Sequence, residues 1–121
     1  MALTPFGKEL RRLRIDRDML LKNMADQLEM SSAFLSGVES GRKQIPSGFV
    51  EKLKASFNLS FDEVLALQEA AVMTAREVRI NLGGNPSRLE GSVAALLARQ
   101  FPDLSIDQMN DIKNILDRRK A

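Results

Sequence analysis

The segment from Met24 to Arg42, MADQLEMSSAFLSGVESGR, constrains the fold of this chain more than any other stretch. Its apolar residues recur with the period of two short helices and not with the two-residue alternation of a strand. Ser31 lies at the break between them and is of the residue type that caps a helix N-terminus. Gly41 can adopt the left-handed conformation that ends a helix. The segment therefore predicts two short helices joined by a tight turn.

The expected helix boundaries follow from the same residues. The first helix is expected to end at Leu28 or Glu29, and the second is expected to run from Ser31 or Ser32 to Ser40.

These residues resemble the helix-turn-helix of the Cro and lambda-repressor-like (Xre) regulators. The matching positions are Met24, Ala25, Leu28, Met30, Ser31, Leu35, Ser36, Val38, Glu39, Gly41 and Arg42. In that family the first helix braces the second, which lies in the DNA major groove. The resemblance implies that Ala25 lets the two helices approach closely and that Leu28, Met30, Leu35 and Val38 form the core beneath them.

The sequence departs from the family pattern at two places. Glu29 occupies the turn position that usually holds Gly, so it is expected to adopt a left-handed conformation at some energetic cost. Leu20 and Leu21 stand where the family has a capping Ser or Thr followed by Gln. Loss of the cap costs the helix about 1 kcal/mol, and loss of the Gln removes a phosphate contact.

The resemblance also identifies base-reading positions in the second helix. They match Ser32, Ala33, Ser36 and Gly37, and none of them carries a long hydrogen-bond donor such as Arg or Gln. Direct readout is therefore expected to be limited to close backbone approach, short hydrogen bonds from the serines, and contact of Ala33 with a thymine methyl group. The alternative is a helix-turn-helix that no longer reads DNA.

Candidate phosphate contacts and one ion pair are further implications. The phosphate contacts are predicted at Arg12, Lys22, Arg42, Lys43, Gln44 and Ser47. For Arg12 and the other cations of the first helix, a solvated helix face is an equally open interpretation. In the family, the residues matching Arg14 and Glu39 form an ion pair that orients the recognition helix, and we expect a structural role for both.

Capping residues predict three further helices in the N-terminal half. Thr4 and Pro5 open a first helix, and Ser47 is expected to cap a fourth. Ser60 and Glu63 form a capping box that opens a fifth helix, which continues through Arg76. This helix is longer than a five-helix module needs, so Val72 and Met73 are predicted at a dimer or partner interface, with simple extension over the protein's own core as the alternative.

Residues 77–86 separate this domain from the C-terminal part. Residues 77–82 alternate polar and apolar side chains like a strand, and a lone strand needs a partner, for which another subunit is one candidate. Val78, Ile80 and Leu82 are therefore added to the predicted interface. Residues 83–86, Gly-Gly-Asn-Pro, are expected to be a linker.

Two more capping boxes, at Ser87 and Ser105, predict two amphipathic helices whose apolar faces must be buried against each other or against a partner. The predicted fold is all-α: a five-helix lambda-repressor-like domain over residues 1–76, an extended segment and linker over 77–86, and a C-terminal helical hairpin over 87–121 for dimerisation or partner binding.

Composition excludes several classes of function. The chain has neither Cys nor His, so thiol and imidazole nucleophiles, disulfides and the usual zinc ligands are absent. We expect no catalytic residues, no metal, no cofactor and no enzymatic activity. The N-terminus is too charged for a signal peptide, and no apolar run is long enough to span a bilayer. A cytoplasmic, nucleoid-associated protein of bacterial or phage origin is expected.

Three functions remain after these exclusions. The leading interpretation is a homodimeric, sequence-specific regulator that binds double-stranded DNA at a palindromic operator, most simply as an autoregulating repressor. Loose similarity of residues 78–82, 96–101 and the final helix to small Xre regulators encoded beside ImmA/IrrE-type metallopeptidases or toxins suggests an antitoxin. A bridging coactivator that does not read DNA is the third.

Overall fold

The computed structural model describes residues 2–118, and this part of the chain contains helices and no strand. The helices are α1 (Pro5–Asp16), α2 (Leu21–Gln27), α3 (Ser32–Ser40), α4 (Phe49–Phe57), α5 (Phe61–Ala75), α6 (Arg88–Gln100) and α7 (Ile106–Leu116), with a short 3₁₀ helix at Phe101–Asp103. The all-α prediction is confirmed. The chain forms two compact units, of which the first ends at Val78 and the second begins at Arg79.

Local capping explains where α1 begins. The Thr4 hydroxyl accepts a hydrogen bond from the Gly7 N–H at 3.1 Å, and Pro5 occupies the first helical position, where its missing N–H leaves no bond unmade. Phe6, Leu10 and Leu13 are buried along one face of this helix, as their spacing predicts.

The turn between α2 and α3 has the predicted geometry. The Ser31 hydroxyl accepts from the Phe34 N–H at 3.0 Å and caps α3, while Gly41 ends that helix with φ of 85°. Glu29 adopts the left-handed conformation, with φ of 57°. Leu20 occupies the N-cap of α2, and its backbone N–H donates to the Asn23 side chain at 2.9 Å.

The prediction that Ser47 caps α4 is wrong. Gly48 is the N-cap, with φ of 72°, and Ser47 lies one residue earlier and is exposed. A left-handed residue is needed where the chain turns into α4, and glycine adopts that conformation without a steric penalty. That backbone requirement overrides the capping preference of serine.

The first unit closes around one apolar core. Its buried side chains come from all five helices, the turn after α2 and the loop before α5: Phe6, Leu10, Leu13, Met24, Ala25, Leu28, Leu35, Val38, Phe49, Leu53, Leu59, Leu67 and Ala70. The rings of Phe6 and Phe49 lie with centroids 5.9 Å apart and tilted by 54°, which is a favourable aromatic arrangement. Met30 is partly buried against this core, so the residues predicted beneath α2 and α3 do pack there.

Helix α5 begins at the predicted capping box and extends to Ala75. The Ser60 hydroxyl accepts from the Glu63 N–H at 3.1 Å, and the Glu63 carboxylate accepts from the Ser60 N–H at 2.9 Å. Near its other end, the Thr74 hydroxyl accepts from the Phe6 N–H at 3.0 Å. This bond ties the last turn of α5 to the first turn of α1.

The alternating segment 77–82 does not form a strand within the chain. These residues have no regular secondary structure, because residues 2–118 offer them no second strand with which to pair. The polar and apolar alternation of Val78, Ile80 and Leu82 is therefore not sufficient to define a β-strand here.

The second unit has well-capped helices but no buried residue among residues 79–118. Ser87 with Glu90 and Ser105 with Gln108 form the two predicted capping boxes. Most large apolar side chains of α6, the 3₁₀ helix and α7 are exposed to solvent, while Leu97 and Ile112 are half-buried. The exposed ones are Leu89, Val93, Leu96, Phe101, Ile106, Met109, Ile115 and Leu116. No helix among the described residues has the length and apolarity needed to cross a bilayer.

Candidate nucleic-acid interface

Helix α3 is held in place by its buried side and by its C-terminal end. Leu35 and Val38 are fully buried, and the Glu39 carbonyl oxygen accepts from both the Thr4 N–H and the Thr4 hydroxyl, each at 3.0 Å. A Cβ atom on Gly7 would lie 2.9 Å from the Glu39 carbonyl carbon and Cα. Helices α1 and α3 thus approach so closely that only glycine fits between them.

A buried ion pair fixes the same end of α3. Arg14 and Glu39 are 7% and 4% exposed. Arg14 donates from Nη1 to Glu39 Oε2 and from Nη2 to Oε1, the latter at 3.3 Å. Two parallel bonds between planar groups define orientation as well as distance. The pair therefore holds α3 in one rotational setting relative to α1, which is the structural role implied for these residues.

The opposite side of α3 presents the four predicted base-reading positions. Ser32, Ala33, Ser36 and Gly37 fall on one face by helical spacing. Ala33 is exposed, and the two serines are half-buried. Gly37 is buried, because the Lys43 side chain crosses it: a Cβ atom on Gly37 would lie 2.7 Å from Lys43 Cγ. The side chains that α3 itself contributes to this face are short.

The loop after α3 brings cations back to this face. After the left-handed Gly41, the Lys43 N–H donates to the Gly37 carbonyl at 3.0 Å, and Arg42 Nε donates to the Ser40 hydroxyl at 3.3 Å. Gln44 and Ser47 are exposed farther along the same loop. The predicted phosphate ligands of this loop therefore adjoin the C-terminal end of α3.

Arg12 and Lys22 lie elsewhere on the first unit. Arg12 contacts Glu9 at 3.7 Å and borders a shallow depression lined also by Asp16 and Asp62. Acidic neighbours repel phosphate, so this placement favours the solvated-face interpretation of Arg12. Lys22 is exposed in the first turn of α2. Within residues 2–118, no group of three or more His, Cys, Asp or Glu side chains is arranged to hold a metal ion.

The residues predicted at a subunit or partner interface are accessible. Val72, Met73, Val78 and Ile80 are exposed, and Leu82 is half-buried. Their exposure leaves them available for a partner, and their interface role stays a prediction.

Two positioning residues were not identified from the sequence. The sequence predicts Thr4 only as a helix cap, yet Thr4 also donates two hydrogen bonds to α3. Gly7 carries no prediction. A signal for Gly7 was present, since glycine inside a helix costs about 0.5–1 kcal/mol relative to alanine and needs a compensating reason such as close packing. That packing partner, Glu39, lies more than thirty residues away in the sequence.

Comparison with known proteins assigns the first unit to a family. A family model described as "Helix-turn-helix domain" matches residues 5–67. The chain is 31% identical over 65 residues to a Bacillus subtilis (strain 168) protein named "Uncharacterized HTH-type transcriptional regulator RghRB". The alignment covers 53% of this chain and 47% of that relative, so the chain spans about half the relative's length. No solved structure matches the chain.

Proposed function

The chain belongs to the helix-turn-helix domain family, and we propose that it is a homodimeric, sequence-specific regulator of transcription. In this proposal α3 of each subunit lies in the major groove of a palindromic operator, and the two half-sites are about 34–36 Å apart, one turn of DNA. The protein acts by binding and not by catalysis, and it most simply represses its own gene. The finer assignment, to the Xre group of bacterial or phage regulators with a cytoplasmic, nucleoid-associated location, is part of the proposal.

The observation that carries this proposal is the two-sided character of α3. One side is locked by buried Leu35, Val38 and the Arg14–Glu39 pair. The other side presents small residues, of which Ala33 is exposed and Ser32 and Ser36 are half-buried, and the exposed Arg42 and Lys43 follow in the adjoining loop. A rigid helix with short side chains on its outer face can enter the groove closely, while the adjoining cations contact phosphates.

Because the side chains on the outer face of α3 are short, contacts with the DNA backbone are expected to contribute more to affinity than contacts with the bases. Binding is expected to weaken steeply with salt, because each neutralised phosphate releases counterions and contributes about −0.9 to the slope of log K against log salt concentration. Specificity would come largely from DNA shape and from the placement of phosphate contacts.

The test is a titration of the full-length protein against the duplex upstream of its own gene and an unrelated duplex, at two salt concentrations. We expect preference for the upstream duplex and strong weakening with salt. The double variant R42Q/K43Q removes both cations that adjoin α3 and should reduce affinity, with the salt slope falling by roughly one for whichever of the two contacts a phosphate.

The matched control for that variant is K52Q/K54Q. It removes the same charge from two exposed lysines of α4 and should leave operator preference intact. Equal binding of the wild type to both duplexes would refute sequence-specific regulation, and salt-insensitive binding would refute the phosphate-dominated mechanism.

The second unit supports the homodimer. Its apolar side chains are largely uncovered, with Leu89 at 73% and Leu116 at 76% exposure. A unit of about 40 residues rarely supports its own core without oligomerisation or cross-links, and this one has no buried residue in the range 79–118. A second copy of the same unit would supply an equal apolar surface and could cover these side chains.

Charge distribution favours pairing between unlike helices of two copies. Helix α6 carries Arg88, Glu90 and Arg99, a net positive charge, and α7 carries Asp107, Asp111 and Lys113, a net negative charge. A two-fold axis that places α6 of one subunit against α7 of its partner brings opposite charges together twice. We therefore propose that α6 and α7 build the dimer.

The alternative occupant of these apolar faces is a toxin or peptidase, which would make the protein an antitoxin whose DNA binding is autoregulatory. The exposed faces of α6 and α7 are the observation that supports it. Deleting residues 84–121 separates the two functions. Loss of operator binding together with loss of the dimer supports dimerisation, whereas unchanged operator binding with loss of a co-purifying partner supports the antitoxin.

A further inference from the structure

The face of α3 formed by Ser32, Ala33, Ser36 and Gly37, called here the reading face, has no long side chain that donates hydrogen bonds. The loop after α3 brings such a side chain to this face. Ser32, Ala33, Ser36 and Gly37 cannot reach far into a groove. Lys43 is outside the helix, six residues after Gly37, and was predicted from the sequence only as a phosphate ligand. Its position relative to Gly37 changes that interpretation.

Two backbone features return the chain over α3. Gly41 ends the helix in the left-handed conformation, with φ of 85°, and the Lys43 N–H then donates to the Gly37 carbonyl at 3.0 Å. The Ser40 hydroxyl donates to the same carbonyl at 3.3 Å. The Lys43 backbone is thereby fixed beside the exposed face of the helix and does not extend away from it.

Gly37 provides the space for the Lys43 side chain. A Cβ atom on Gly37 would lie 2.7 Å from Lys43 Cγ, 3.5 Å from its Cβ and 3.9 Å from its Cδ. The aliphatic stem of Lys43 thus lies over the position that any other residue would fill. Glycine inside a helix is otherwise unfavourable, so this packing gives a physical reason for its presence at position 37.

We propose that Lys43 is a specificity-determining residue, with its stem laid across Gly37 so that its ammonium group contacts a base edge in the major groove. Lysine most commonly recognises the O6 and N7 acceptors of guanine, so one G·C pair in each half-site would be read by this residue. The inference rests on the proposed function, since it requires α3 to occupy the groove.

A base contact and a phosphate contact differ in how their loss affects different duplexes. Removing a phosphate contact weakens binding by a similar factor for every sequence. Removing a base contact weakens binding mainly to the preferred sequence and abolishes the preference for one base pair. Arg42 is the internal comparison, because it is also exposed and cationic but donates to Ser40 beside the end of the helix.

The experiment uses the full-length protein and a pool of roughly 20-bp duplexes with randomised sequence, long enough for two half-sites one turn apart. Duplexes selected by the wild type define its preferred site, and K43Q and R42Q are then measured on that site, on its single-base variants and on an unrelated duplex. We expect K43Q to lose about tenfold or more on the preferred site, to change little on the unrelated duplex, and to lose its preference at one G·C pair. R42Q should weaken all duplexes alike.

Gly37→Ala provides a second test that keeps the charge. It obstructs the path of the Lys43 stem and should remove preference at the same base pair as K43Q, with circular dichroism confirming that the variant is folded. A G37A protein that keeps the full base preference would overturn the role of Gly37 in directing Lys43.

The proposal on Lys43 fails separately from the proposed function. A wild-type protein that selects no sequence from the pool refutes specific regulation as a whole. The other outcome is that the wild type selects a site, while K43Q binds all duplexes equally more weakly and keeps the base preference. That result would support the regulator and would identify Lys43 as a phosphate ligand.

Discussion

The two units of this chain are built from the same local signals and reach different outcomes. Ser60 with Glu63 in the first unit and Ser87 with Glu90 in the second form equivalent capping boxes, and both units contain amphipathic helices. The first unit nevertheless buries thirteen apolar side chains, whereas the second buries none in residues 79–118. Capping and periodicity specify a helix and its apolar face; they do not supply the surface that covers that face.

Long-range contacts make the difference between the two units. Thr4 and Gly7 meet the end of α3, and Thr74 near the end of α5 accepts from the N–H of Phe6. These contacts join helices that are far apart in sequence into one core. In the second unit, α6 contacts the short 3₁₀ helix that follows it, and its apolar face remains open to a partner.

The largest expected effect comes from the buried ion pair of the first unit. Glu39→Gln leaves Arg14 charged and uncompensated in a buried site, so the free energy of unfolding should fall by about 3–5 kcal/mol. Glu63→Gln is the matched control, because Glu63 pairs with Arg17 while both side chains are roughly 30% exposed. Urea unfolding should show a loss below about 1 kcal/mol for Glu63→Gln. Equal losses for the two variants would contradict a special role of Arg14 and Glu39 in fixing α3.

Glycine-to-alanine changes should have opposite signs in the two units. Gly7→Ala forces a Cβ atom against the Glu39 carbonyl, and we expect a loss of about 3 kcal/mol, at the upper end of overpacking effects. Gly91→Ala adds a Cβ atom in α6 with no neighbour within 4 Å, and should gain about 0.5–1 kcal/mol of helix stability. Thermal unfolding of both variants measures the contrast. A Gly91→Ala protein as destabilised as Gly7→Ala would show that α6 is closely packed in solution.

Residues within short windows were sufficient to predict most of the first unit. The caps at Thr4, Ser31 and Ser60 and the buried face of α1 follow from local sequence patterns, and the left-handed Glu29 is what the family resemblance implies. The Ser47 cap was wrong, because the backbone at Gly48 required a left-handed residue, which residue-type preference alone does not reveal.

The reading face shows the corresponding limit for the site. Ser32, Ala33, Ser36 and Gly37 were identified through the family resemblance, and the structure places all four in α3. The Lys43 stem over Gly37 could not be predicted, because it depends on how the loop after Gly41 folds back. For residues 79–118, the spacing of apolar residues predicted helix faces that must be buried. A short stretch of sequence does not show which surface covers those faces.

The exposed faces of the second unit provide the next prediction. Leu96→Asp should leave the first unit intact but weaken self-association, because a leucine buried between subunits contributes about 1.5–3 kcal/mol. Sedimentation equilibrium of the full-length protein should show a dimer for the wild type and a shift toward monomer for the variant. Lys52→Asp on exposed α4 is a control that introduces the same residue outside the proposed interface. A wild-type protein that is monomeric at all concentrations would refute the proposed dimer. A different protein would then be the remaining candidate to cover the apolar faces of α6 and α7.

The smallest expected effect is on the pKa values of the two capping-box glutamates, Glu63 and Glu90. The Ser60 backbone N–H donating to Glu63, together with Arg17, lowers the pKa of the Glu63 carboxyl, and the Ser87 backbone N–H similarly lowers the pKa of Glu90. A lowered pKa means that each charged carboxylate stabilises its helix at neutral pH, and that this contribution is lost as pH falls through the folded-state pKa, below the ordinary Glu range of about 4.3. Carboxyl chemical shifts followed by NMR from neutral to acidic pH would measure both groups.

Arg17→Gln separates the two glutamates. It should raise the pKa of Glu63 toward its ordinary value, because one of the groups that stabilise its charged form is lost. The Glu90 titration should not move, since Ser87 lies in the other unit and its hydrogen bonds are unchanged. An unmoved Glu63 in this variant would mean that Arg17 contributes no measurable electrostatic link between α1 and α5, leaving the core and the Thr74 hydrogen bond to hold those helices together.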